Sequence, residues 1–146
     1  KLRVELTKSR SRRTNDNALA ESKNGSVVRK HFGYAHIPGG FAGPVNAFAQ
    51  EVLSPYLNFH RPCFFPTEQI DAKGRLRKHY RYEAMMTPYE KLKSLPQADT
   101  FLRLGVDFKQ LDAQAKAMSD NDAAERMNAA RSVLFKTIFN RSKTAA

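Results

Sequence analysis

The sequence is poor in cysteine, in tryptophan and in acids. Its single cysteine, Cys63, excludes an internal disulfide and a zinc knuckle. The thiol lies between Pro62 and Phe64. No histidine base accompanies it in the pattern, so a buried structural thiol is expected rather than a nucleophile. No apolar run approaches the ~20 residues that a membrane-spanning helix needs. No apolar segment follows the basic start, so nothing resembles a signal peptide. These absences lead to the expectation of a soluble, cytoplasmic chain without a membrane partner. No internal repeat and no low-complexity tract occurs. His31, His36 and His60 are scattered and lack the cysteine pairs that would argue for zinc.

Acids are outnumbered. The 146 residues carry 25 Lys and Arg against 14 Asp and Glu, a formal charge of +11. The excess is uneven: residues 1–93 hold 17 cations and 8 acids, and residues 94–146 hold 8 and 6. A basic first two-thirds points to a polyanion, with nucleic acid ahead of an anionic membrane surface.

Leu2, Val4 and Leu6 alternate with Arg3 and Glu5, the pattern of a half-buried strand. Residues 8–15 form a polar loop bearing Lys8, Arg10, Arg12 and Arg13. Asn15 or Asp16 offers a cap for a helix running from Asn17 to about Phe32. Gly25 weakens that helix, so either something packs against its backbone or the helix bends. The glycines of residues 33–43 indicate a loop. Pro44 suits the first turn of a second helix, whose apolar face comprises Val45, Phe48, Ala49, Val52, Leu53 and Tyr56. Pro55 is expected to kink it.

Residues 65–82 read as a hairpin with its turn at Asp71-Ala72-Lys73-Gly74. Alternation puts Arg75, Arg77, His79 and Arg81 on one side, and Leu76, Lys78, Tyr80 and Tyr82 on the other. The arginine side could contact DNA or could protect an edge strand by its charge. Core packing is expected for Tyr80 and Tyr82, with base stacking as the alternative. Thr87-Pro88 opens a short helix through Leu95. Two helices follow, near 107–118 and 120–140, with Ser119 and Asp122 resembling a capping box. Ala123, Met127, Ala130, Leu134 and Ile138 make a core-facing stripe.

The segment Asn15-Asp16-Asn17-Ala18-Leu19-Ala20-Glu21-Ser22 resembles the third-acid motif of integrase-core, DDE-type transposases, in which Asp-Asn-Ala, two residues and a Glu open a helix. The preceding Ser-Arg-Ser-Arg-Arg run resembles the basic loop before that motif in insertion-sequence transposases. Leu57-Asn58-Phe59-His60-Arg61-Pro62 and Thr87-Pro88-Tyr89-Glu90 resemble two later segments of the same cores. The resemblance runs over residues 2–37, with further support from 44–62 and 87–92, about half of the chain.

The resemblance implies a helix-dominated α/β fold. Residues 1–93 would be the trailing part of a ribonuclease H-like integrase core with a hairpin insertion, and residues 94–146 a helical extension. It implies metal-dependent cleavage and strand transfer in DNA by a homo-oligomeric parent enzyme associated with the bacterial nucleoid. Glu21 would be the catalytic third ligand of Mg²⁺ or Mn²⁺. Paired divalent ions activate the attacking oxygen and stabilise the leaving one, and such hard ions require several carboxylate oxygens. Only Glu5 and Asp16 are acidic upstream of Glu21, so the first two acids are expected outside this chain and the fragment alone is expected to be inactive. Arg10, Arg12, Arg13, Lys23, Asn24, Arg29, Lys30, Arg75, Arg77 and Arg81 are the candidate DNA contacts, mostly to phosphate. A non-catalytic, basic nucleic-acid-binding module is the competing reading.

Overall fold

A computed structural model of the chain describes Ser22 and residues 24–144, with side chains through Asn140. The expected first strand, the basic loop and the motif through Glu21 lie outside the described residues. The chain divides into two compact units, one ending at Phe41 and one beginning at Ala42. The expected boundary after residue 93 rests on the resemblance, and compactness does not decide where a family's core ends.

In the first unit, helix α1 (residues 24–32) runs as a π-wound segment, Asn24–Arg29, into α-helical Lys30–Phe32. Gly25 has no neighbouring side chain or backbone within 4 Å of where a Cβ would stand. Among the described residues nothing packs there, and the helix is π-wound over Asn24–Arg29. It ends where sequence punctuation placed the end. Gly33 takes φ 71°, and its N–H donates to the Arg29 carbonyl at 2.9 Å. That left-handed conformation closes a helix at little cost only in glycine.

In the second unit, helix α2 (residues 42–60) carries the apolar face read from the sequence, with Phe48 and Leu53 buried. Pro55 does not end it. Proline removes one N–H from the ladder, and the winding opens to π at Ala49–Leu53 and Tyr56–His60. The Ser54 N–H reaches back five residues to the Ala49 carbonyl. Asn58 Nδ2 donates to the Ser54 carbonyl at 2.9 Å, satisfying an acceptor within the disturbed stretch.

Two small sheets follow. Strand β1 (Cys63–Phe64) pairs antiparallel with β4 (Met85–Met86), and β2 (Thr67–Ile70) pairs antiparallel with β3 (Leu76–His79). Cys63 is half-buried rather than sealed in a core, because its two-stranded ribbon has no covering layer deep enough. Helix α3 (Pro88–Lys93) starts from a complete capping box. Thr87 Oγ1 accepts from the Glu90 N–H at 3.2 Å, and the Thr87 N–H donates to Glu90 Oε2 at 2.7 Å. Helix α4 (Phe108–Lys116) is capped by Asp107, which accepts from the Gln110 N–H at 2.7 Å.

Helix α5 (Asp120–Thr144) lies antiparallel to α2: Ala123 and Arg126 line a cavity with Pro55, Phe59 and His60, and Leu134 lines a groove with Pro44 and Phe48. Ser119 caps α5 by accepting from the Asp122 N–H at 3.2 Å. Its hydroxyl donates to Asp122 Oδ2 at 2.7 Å, so the expected box forms only in part. The expected stripe is the core: Ala123, Met127, Leu134 and Ile138 are buried, with Ile138 at 0% exposure. The described chain is thus helix-dominated with small antiparallel sheets.

Ile138→Ala should lower unfolding stability by about 2–5 kcal/mol, through lost transfer energy and the cavity left behind. Lys136→Ala, exposed on the same helix, should change it by less than about 0.5 kcal/mol. Urea unfolding followed by circular dichroism checks both, and equal midpoints for the two variants would contradict the assigned core.

Candidate nucleic-acid interface

The hairpin carries the candidate site in the second unit. Its register pairs Thr67 with His79, Glu68 with Lys78, Gln69 with Arg77, and Ile70 with Leu76. Alternation therefore sets Arg77 and His79 on one face and Leu76 and Lys78 on the other, as the sequence pattern requires. Every side chain of both strands is exposed, so among the described residues neither face is covered by another layer.

A two-stranded hairpin standing in water is marginal by itself. Asp71 supplies the missing order. Its Oδ1 accepts from the N–H groups of Lys73 and Arg75, each at 2.9 Å. Its Oδ2 accepts from Arg77 Nε at 3.2 Å. The Asp71 N–H donates to the Arg75 carbonyl, and the Gly74 N–H donates to the Asp71 carbonyl, both at 2.9 Å. Gly74 takes φ 72°, which a side chain would resist. The Arg75 N–H above all holds the Asp71 carboxyl below the usual carboxylate range; desolvation opposes it, and the Lys73 N–H and Arg77 lower it further.

The base of the hairpin is aromatic on both sides. Phe64 meets Tyr80 edge-on at 6.3 Å and Tyr82 at 5.4 Å between ring centroids. Its neighbour Phe65 turns the other way, with Lys91 Nζ of α3 over its ring at 5.6 Å. Tyr80 is 58% exposed and Tyr82 80%. Core packing, the expectation for these tyrosines, is therefore corrected. Strand β3 ends at His79, and Tyr82 opens a single 3-10 turn, so the alternation that placed both rings on the Leu76 side does not extend to them. From Ala72 to Tyr82 the chain carries Lys73, Arg75, Arg77, Lys78 and Arg81 and no acid. The arrangement offers cations for phosphates and uncovered rings for bases.

The other candidate residues divide as follows. Asn24, Arg29 and Lys30 are exposed on α1 in the first unit, with the Arg29 guanidinium 5.4 Å from the Tyr34 ring centroid. Arg75, Arg77 and Arg81 are together on the hairpin and its exit. Arg10, Arg12, Arg13, Lys23 and Glu21 lie outside the described residues. Among the described residues, no three His, Cys, Asp or Glu side chains come together to hold a metal ion.

Two polar clusters escaped sequence reasoning. Tyr89 Oη donates to Asp112 Oδ1 at 2.6 Å, and Lys93 Nζ approaches both Asp112 oxygens at 2.7 and 2.8 Å. Lys93 and then Tyr89 hold the Asp112 carboxyl below its usual range, while burial and then Asp112 push the Tyr89 phenol well above its own. Nearby, His60 Nδ1 lies 3.0 Å from Asp120 Oδ1. The first cluster ties α3 to α4, and the second ties the end of α2 to the start of α5. The i, i+4 spacing of Tyr89 and Lys93 shows a shared helix face, but nothing local in the sequence names Asp112 as their partner.

No family model matches the chain, and no solved structure matches it. The chain is 35% identical over 77 residues to a protein of Sinorhizobium fredii described as "Uncharacterized protein y4rM". The match covers 53% of this chain and 22% of that protein, so the chain spans about a fifth of its relative's length. Among the described residues, no helix is long and apolar enough to cross a membrane.

The turn lock has a definite pH dependence. Because the folded-state pKa of Asp71 is lowered, the ordering bonds are fully present above the ordinary aspartate pKa of ~3.9 and are lost as pH falls through the depressed value. NMR of the Lys73 and Arg75 amides should show a titration midpoint below that ordinary value. A midpoint at or above it would mean that Asp71 does not lock the turn.

Proposed function

We propose that this chain is the trailing part of a DNA transposase or integrase of the DDE type, and that it holds DNA through its basic surfaces. The observation that carries the reading is the hairpin: Arg75, Arg77, Lys78 and Arg81 on a ribbon open to solvent on both faces. The resemblance of Asp16-Asn17-Ala18-Leu19-Ala20-Glu21 to the third-acid motif supplies the enzyme class. On this reading residues 1–93 belong to a ribonuclease H-like core, and the hairpin and the C-terminal helices are additions to it. The parent enzyme would assemble as a homo-oligomer on DNA in the bacterial cytoplasm.

The chemistry of such enzymes uses Mg²⁺ or Mn²⁺. The donor set in this chain does not fit a catalytic ion pair, since Glu21 is a single carboxylate and the described residues bring no acid cluster together. Cleavage and strand transfer would need two further acids from the parent protein. What this chain can do alone is bind. Its cations would neutralise phosphates and release counterions, giving affinity and salt dependence with little sequence choice.

A second reading has its own support. The hairpin belongs to the unit that begins at Ala42, after Glu21 in the chain, so its DNA contacts do not depend on that acid. A non-catalytic DNA-binding module would look the same in this region.

Fluorescence anisotropy with a duplex at several salt concentrations tests binding. Affinity should fall steeply with salt, and Arg81→Ala should weaken binding and flatten the log–log slope by about one. A salt-independent affinity, or an unchanged slope in that variant, would remove the hairpin from the interface. In the complete parent, Glu21→Gln should abolish strand transfer while leaving DNA affinity unchanged. Undiminished strand transfer would exclude the DDE assignment and leave the binding module.

A further inference from the structure

We infer that the Phe64, Tyr80 and Tyr82 rings form a stacking platform for unpaired bases, so that the hairpin takes single-stranded DNA in preference to duplex. This rests on the DNA-binding reading above and names the form of DNA. Three aromatic rings gather at the hairpin base, and the two tyrosines keep most of their surface in water. Uncovered aromatic surface of this size is unfavourable unless something covers it in use.

The geometry suits bases. Phe64 contacts both tyrosines at interplanar angles of 90° and 68°, so the three rings are already gathered before any ligand arrives. Prior gathering lowers the ordering cost of binding. Leading away from the rings, residues 72–82 carry five cations and no acid, a track for a phosphate backbone. In a duplex the base faces are stacked on one another and only their edges reach the grooves. Aromatic faces gain stacking energy only from bases that are already unpaired. The combination of exposed rings with a ribbon of net positive charge, five cations against Glu68 and Asp71, therefore selects a single strand.

The test uses the full chain with a mixed-sequence single strand of ~20 nucleotides, its duplex, and the RNA strand of the same sequence, at matched salt. Anisotropy reads affinity, and quenching of tyrosine emission reads stacking, because the chain has five tyrosines and no tryptophan. The single strand should bind about tenfold more tightly than the duplex and quench tyrosine emission. Tyr82→Ala should weaken single-strand binding by about 5- to 100-fold, as loss of one base–aromatic stack does. Tyr82→Phe should stay within about twofold, and duplex affinity should be unchanged in both. Tyr80→Ala, also at an exposed position, gives an independent check that folding is not the cause. Wild-type single-strand affinity in Tyr82→Ala and Tyr80→Ala, with salt-dependent duplex binding intact, would overturn the platform and leave the DNA reading standing. Tighter binding to RNA would overturn the choice of DNA. Absence of binding to any of the three would overturn the DNA reading itself.

Discussion

The second unit depends on one seam, the antiparallel packing of α2 on α5. Phe48 and Leu53 on one side and Ala123, Met127, Leu134 and Ile138 on the other hold most of the buried apolar surface. The seam constrains α2 to remain helical beyond Pro55, because the Phe59 and His60 positions must also reach their neighbours. Proline opposes this by removing a hydrogen bond. The π winding on both sides is the compromise: the helical path continues while its spacing widens locally. Asn58 and the His60–Asp120 pair then secure the far end, where α5 begins.

The hairpin inherits its position from that seam. The end of α2 receives α3 through Phe59 and Tyr89, whose ring centroids are 5.1 Å apart. Lys93 and Tyr89 bind Asp112 and bring α4 into the same group. Strand β4 runs directly into the Thr87 cap of α3, and β1 pairs with β4. The root of the hairpin is therefore attached to the helical core, while its arms project without a covering layer. Order within the arms comes from Asp71 and from strand pairing, not from burial. A rigid root with a water-exposed ribbon is a suitable way to present charge, since the positions of the cations are fixed without being desolvated.

Local patterns were legible in the sequence where local physics decides the outcome. The period of Ala123, Met127, Leu134 and Ile138 identified the buried face of α5, and Asp71 to Gly74 identified the turn. Thr87-Pro88 with Glu90 marked a helix start, and the capping box is complete there. Outcomes that depend on distant parts of the chain were not legible. Alternation in sequence runs on through Tyr80 and Tyr82, and it does not show that the strand ends at His79 or that both rings stay exposed. Cys63 has the same history. Asp112 shows no sign of Tyr89 and Lys93 nineteen or more residues earlier, because the contact is made by helix packing. Of the candidate site, the arginines of the hairpin could be read from sequence. The part played by Phe64 could not, since it depends on the pairing of β1 with β4.

The charge on the hairpin admits two accounts, and they differ in what they require. Protection of an exposed edge needs charge of either sign, and mixed signs serve as well. Opposite charges directly across a ladder favour the ribbon, and like charges there disfavour it. Here Glu68 faces Lys78 across the ladder and Asp71 engages Arg77, and the cations still outnumber the acids over residues 67–81 by five to two. Edge protection accommodates this mixture of signs but leaves the uncovered tyrosines beside it unexplained. On the proposed reading, a polyanion with accessible bases would account for both at once: its phosphates would meet the excess cations, and its bases would cover the rings.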